Sequence, residues 1–193
     1  MSQGAVGNDV VDLDDVSPAS ERTRQRFIER VCAPSERELL AQSDDPRTLL
    51  WVLFAAKEAA FKLASKLGPV PVFAHRNFVV DRAPLAGAPF SVTLPSAVRA
   101  RGAVDVHGRA IHAVAWVGEG EPHREVIVGP DARAALLVHL GLEAARVVRA
   151  PRADAYDGLG PPRVEVRAQP HPVDVSLSQD GRFAAFALVP VRA

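Results

Sequence analysis

The chain has 193 residues and a formal net charge of zero, with 48% hydrophobic and 24% charged residues. That globular composition excludes a disordered chain and a broad basic field for nucleic acid, and no run approaches the roughly 20 apolar residues of a membrane helix. The single cysteine, Cys32, excludes an internal disulfide framework and a cysteine-based zinc site; beside Val31 and Ala33 it reads as a buried thiol. The N-terminus lacks a basic region followed by an apolar run, so no signal peptide is expected and the cytoplasm is the expected compartment. Of the 23 basic residues 20 are arginine, and the three lysines, Lys57, Lys62 and Lys66, fall within ten residues. Either three rare residues cluster by chance, or this segment needs compact ammonium charges that a flat guanidinium fork does not replace.

Residues 5–13 read as a short strand ending in acidic residues. Residues 18–42 read as helical, with Ser20 capping one helix and Ser35 a second, Glu38 completing a capping box. Asp45-Pro46 supplies a cap and a first-turn proline for a helix over 47–67, which Gly68-Pro69 stops. Trp51, Phe54, Glu58 and Lys62 lie on one stripe of that helix, aromatic at one end and charged at the other. The aromatic pair reads as core.

From residue 72 the pattern changes to strands, at 76–82, 89–94, 103–107 and 110–117. A joint follows at 119–122, then a strand at 124–128 and a helix from Pro130-Asp131 to Leu140 closed by Gly141. Strands are expected at 145–149, 163–167, 173–178 and 183–190, with a loop at 158–162 and a hairpin turn at Asp180-Gly181. Each part runs helix then antiparallel strands, which predicts an α+β protein of two similar halves. The six histidines show no H-x-H or H-E-x-x-H grouping, which argues against a zinc site.

Three places carry chemistry. Asp9 ends an apolar strand, with Gly7 before it and Asp12 after it. Lys57-Glu58 sits on the long helix with Lys62 one turn on. Ser176 to Gly181 forms a polar turn. Carboxylates from a strand end and a helix can meet around a hard cation such as magnesium, and lysines one turn apart can balance phosphate charge. Taken singly, each is equally the signature of a solvated helix pair or a loop entry.

Together these segments resemble the 4′-phosphopantetheinyl transferases. GNDVVDL (7–13) is similar to their GxD motif, FAAKEAAFK (54–62) to their FxxKEAxxK helix, and SLSQDGRFAAFAL (176–188) to their SxSH strand-turn-strand. The resemblance implies transfer of the phosphopantetheine arm of coenzyme A to a serine of an acyl or peptidyl carrier protein, with Mg2+, releasing 3′,5′-ADP. It implies Asp9 and Glu58 as magnesium ligands, Glu58 also accepting the serine proton, and Lys62 acting on the pyrophosphate. Lys57, Ser178, Gln179 and Arg163 become coenzyme A contacts; Lys66 is expected to be a surface lysine and Asp12 to rank below Asp9 as a ligand. Arg182 is a further phosphate candidate, and Arg22, Arg24, Arg26 and Arg30 a carrier-docking face. Gln179 replaces the family histidine, and Pro161 a family lysine that Arg163 is expected to replace. The length fits two halves in one chain, 1–118 with the metal and pyrophosphate site and 119–193 on the nucleotide side, with the cleft between them. A pseudo-twofold monomer is therefore expected, with the trimer of the shorter relatives as the alternative. A transferase-like protein that binds a carrier without catalysis is the alternative function.

Overall fold

The computed structural model describes residues 4–16, 21–82, 84 and 88–191. The first sheet has strands β1 (Ala5–Asp12), β2 (Val79–Val80), β3 (Phe90–Thr93), β4 (Arg99–His107) and β5 (Ala110–Val117), in the order β1-β5-β4-β3-β2. The second has β6 (His123–Val128), β7 (Ala145–Pro151), β8 (Leu159–Val166), β9 (Gln169–Asp180) and β10 (Phe183–Pro190), in the order β6-β10-β9-β8-β7. Both are antiparallel throughout. The two orders are the same, and each sheet receives helices between its first and second strands. Helices α1 (Glu21–Val31), α2 (Pro34–Ala41) and α3 (Pro46–Leu67) belong to the first, and α4 (Ala132–Leu140) to the second. The fold is thus α+β with a repeated topology.

Local chemistry sets the helix ends. Asp45 Oδ1 accepts from Thr48 N at 3.0 Å with Pro46 opening α3, and Asp131 caps α4 through Ala134 N at 2.9 Å. Gly141 closes α4 at φ 59°, the left-handed conformation glycine adopts without penalty. The cap of α2 differs from the sequence expectation. The helix opens at Pro34, and Glu36, not Glu38, reaches back to Ala33 N at 2.7 Å. The expected cap Ser20 lies outside the described residues. His75–Asn77 forms a short 3-10 turn where strand was expected. The expected loop at 158–162 is instead the start of β8. Pro162 pairs with Arg149 of β7, while the pairing of β8 with β9 begins at Arg163, so the missing proline N–H groups cost that ladder nothing.

The main core lies between α3 and the first sheet and takes in Leu53, Ala56, Leu63, Phe78, Val92 and Ile111. Cys32 is buried in it, and burial pushes its thiol up to about 11. Phe27 of α1, Trp51 and Phe54 pack tilted and edge-to-face with centroids 5.3 to 5.8 Å apart, fixing α1 to α3. Gly7 sets the approach of α3 to β1. A Cβ there would stand 2.1 Å from Ala59 O and 2.6 Å from Leu63 N, so only glycine lets this helix lie against the strand.

The two sheets meet along β1 without a shared ladder. Alternate residues of β1 turn their N–H and C=O groups away from β5, and side chains of β9 and α3 take them up. Val6 N donates to Asp174 Oδ2 at 2.8 Å, Asn8 N to Ser176 Oγ at 2.9 Å, and Asp12 N to Asp180 Oδ2 at 2.7 Å. On the carbonyl side, Lys66 donates to Val6 O at 2.7 Å and Lys62 to Asn8 O at 2.9 Å. Asn8 Nδ2 also donates to Ser178 Oγ at 2.8 Å. The reciprocal contact exists: Arg124 of β6 pairs with Asp105 of β4. Asn8 stands four residues before the end of β1 and Arg124 four before the end of β6, as a twofold-like relation between the halves requires.

Candidate functional site

Alternation along β1 and the Gly7 approach bring α3 and the end of β1 together at the seam. Lys62 Nζ lies 3.0 Å from Asp9 Oδ1, and the two side chains keep 32% and 14% exposure. His75, from the 3-10 turn, stacks on Phe54 at 5.0 Å and places Nε2 3.1 Å from Glu58 Oε1. Burial pushes the Asp9 carboxyl up to about 6; Lys62 pulls it back, and the charges of Glu58 and Asp180 push it the same way as burial. Half-buried carboxylate oxygens drawn from a strand and a helix are the hard donors that magnesium takes. Asp9 and Glu58 therefore offer the donor type that suits such an ion.

Beside them opens a cleft of about 730 Å³ between α3 and the second sheet. Lys62, Ser178, Gln179, Pro161 and Arg133 are among the residues that line it. Lys62 thus joins the carboxylates to the cleft. Arg133, in the first turn of α4, has no ion-pair partner among the described residues. Arg149 and Arg152 also line the cleft but are committed: Arg149 to Asp157 at 2.7 Å, and Arg152 to Asp154 at 2.7 Å and to carbonyls at the end of α3.

Other expected site residues go elsewhere. Lys57 is fully buried, with Nζ 2.6 Å from Glu36 Oε2 and further bonds to Phe78 O at 2.7 Å and His75 O at 3.2 Å. It does not reach the cleft, because 3.6-residue periodicity turns it toward the core beside Glu58. Burial lowers its pKa, and Glu36 opposes that shift. Lys66 is no surface lysine: 6% exposed, it bonds Asp174 Oδ2, Val6 O and Val175 O, each at 2.7 Å. Arg163 is absent from the cleft lining and lies 3.1 Å from Glu165 Oε1; a register shift of β8 against β7, between Leu159 and Pro162, breaks the alternation that should have returned it to the face of Pro161. Arg182 pairs with Asp12 and Asp14. Asp12 is a buried cap for that turn, accepting Asp14 N at 3.0 Å, and these bonds hold its carboxyl below the usual range against burial. His75, Arg133, Arg149 and Arg152 escaped the sequence reading because each lies outside the three motifs, in a turn, on a helix, or on or just past a strand that only the fold brings to the site. His123, Glu125 and His139 also converge, a grouping that linear spacing hides because a strand supplies two members and a helix the third.

Residues 5–81 match the 4′-phosphopantetheinyl transferase superfamily. A holo-[acyl-carrier-protein] synthase of Solidesulfovibrio magneticus is 32% identical over 133 residues, which cover 69% of this chain and 94% of that protein. The chain belongs to this superfamily. A holo-[acyl-carrier-protein] synthase of Azoarcus sp. is 40% identical over 70 residues, and the one from Aromatoleum aromaticum 37%; the match spans 36% of this chain and 56% of each relative's length. The crystal structure of Thermotoga maritima holo-[acyl-carrier-protein] synthase aligns at a TM-score of 0.44 and 17% identity, covering 88% of this chain and 86% of that one. Among the described residues no helix is long and apolar enough to cross a membrane.

Proposed function

We propose that this chain transfers 4′-phosphopantetheine from coenzyme A to a serine of an acyl or peptidyl carrier protein, releasing 3′,5′-ADP. The observation that carries the reading is Lys62, which lines the large cleft while its ammonium holds Asp9. Magnesium held by Asp9 and Glu58 would neutralise charge on the pyrophosphate oxygens. Lys62 donates to a pyrophosphate oxygen and stabilises the charge that gathers on the leaving 3′,5′-ADP. Glu58, steadied by His75, accepts the serine proton directly or through a water as the serine oxygen bonds to phosphorus. Ser178 and Gln179 contact the nucleotide from β9, and Arg133 supplies the charge that Gln179 lacks for the 3′-phosphate. Exposed Arg26 and Arg30 on α1 steer the acidic carrier. Helix α3 of the first half and the second sheet line the cleft within one chain, which supports a monomer.

Mass spectrometry of apo carrier proteins with coenzyme A and Mg2+ tests this directly. The wild type adds one phosphopantetheine per carrier; Asp9→Ala and Glu58→Ala lose at least about 100-fold in rate, as expected when charge neutralisation of phosphoryl transfer is removed. Full activity in either variant refutes the site.

A further inference from the structure

We infer that His123, Glu125 and His139 form a second metal site, for a late first-row divalent cation such as Zn2+. The inference does not rest on the proposed activity. His123 and Glu125 are two apart on edge strand β6 and so share a face. His139 stands in the last turn of α4, and its ring stacks on that of His123 with centroids 3.9 Å apart and planes 24° apart. Phe186 of β10 backs both rings, 5.9 Å from His123 and 5.5 Å from His139. One carboxylate oxygen serves both imidazoles: Glu125 Oε2 lies 3.9 Å from His123 Nε2 and 4.0 Å from His139 Nδ1. The three donor atoms all fall within 4.8 Å of one another, and none has a shorter polar contact to another described residue.

Ligand bonds of about 2.0–2.1 Å in a tetrahedron put donor atoms about 3.3 Å apart. Each nitrogen–oxygen pair therefore needs to close by roughly 0.6 Å, and the two stacked imidazoles must turn out of their stack so that their in-plane lone pairs meet at one ion, a change of rotamer open to exposed side chains. Two imidazoles and one carboxylate suit zinc, nickel, copper or iron, whereas magnesium prefers an all-oxygen set. Three protein ligands leave at least one position open to water or to a small anion.

The place in the fold supports the same reading. Asp9 stands three residues before the end of β1, and Glu125 three before the end of β6. Asp9 pairs with Ala113 on β5, and Glu125 with Phe186 on β10. In each half a carboxylate on the edge strand meets a nitrogen-bearing side chain from the packed helix, Lys62 in one and His139 in the other. The helix partner has changed from an ammonium, which holds no metal, to an imidazole, which can.

The test is titration of the metal-free full chain with Zn2+ against a chromophoric competitor, with Co2+ absorption as a second readout. One equivalent should bind with micromolar or tighter affinity. It should weaken at least 10-fold in His139→Ala, His123→Gln and Glu125→Gln, and persist in Asp9→Asn. Zinc-induced shifts of the His123 and His139 ring signals in the wild-type protein need no variant and should appear at the same stoichiometry. No binding below millimolar zinc, unmoved histidine signals, or binding lost in Asp9→Asn but kept in His139→Ala each overturns the proposal.

Discussion

Replacing Asp9 by Asn should make the metal-free protein more stable at neutral pH. The Asp9 carboxyl, raised from 3.8 to about 6, holds a proton in the folded chain that the unfolded chain has already released. Folding stability therefore falls as pH rises from about 4 to about 6.5, and the full penalty stays in place above that window. About two pKa units at about 1.4 kcal/mol each come to about 3 kcal/mol. Asn carries no such charge, so the stability of Asp9→Asn relative to wild type should climb by about 2.5 kcal/mol between pH 4 and pH 7.5. Urea unfolding in chelator at several pH values measures that climb, and comparing two proteins at each pH cancels the other titrating groups. Added Mg2+ should stabilise the wild type at pH 7.5 by mass action and leave Asp9→Asn unmoved. Two parallel stability–pH curves would refute the reasoning, since Asp9 would then be as well solvated folded as unfolded.

Gly7→Ala should cost at least about 3 kcal/mol, because neither Ala59 O nor Leu63 N can yield without moving α3; urea midpoints measure it. Lys57→Met leaves Glu36 buried and uncompensated and should cost about 3–5 kcal/mol, with transfer per folded molecule nearly unchanged; equal loss of stability and of kcat would return Lys57 to the site. Lys62→Arg should lower kcat at least about 10-fold despite keeping its charge, since a guanidinium fork cannot occupy the point between Asn8 O and Asp9 Oδ1, and steady-state kinetics decides it. Lys66→Arg should destabilise rather than pass silently, because three acceptors surround the buried ammonium; thermal melting is the readout.

Features set by neighbouring residues were legible in the sequence. Asp45-Pro46 and Gly68 bound α3 because cap and stop chemistry act within one turn, and the same holds for Asp131 and Gly141. The proximity of Asp9 and Lys62 was implied by family motifs rather than derived from spacing. What spacing could not give was the use of the other two lysines. The partner of Lys57 lies 21 residues back on α2, and that of Lys66 lies 108 residues ahead on β9. The prolines of β8 misled for a similar reason, since their cost depends on whether a second strand pairs at that point. Clustered lysines did mark a special helix, although two of the three serve packing: Lys57 a buried carboxylate, and Lys66 the carbonyl edge of a strand.

The repeated strand order has an evolutionary consequence. In a symmetric assembly of identical chains, every substitution falls on both sides of the axis at once, so a change that helps one face must be tolerated at its mate. Here the two sides are separate stretches of a single chain. Asp9 and Glu125, or Asn8 and Arg124, can drift independently. One side can stay fixed by its chemistry while the other is released to acquire histidines, and the chain can carry two unlike centres where a true twofold would permit only copies of one.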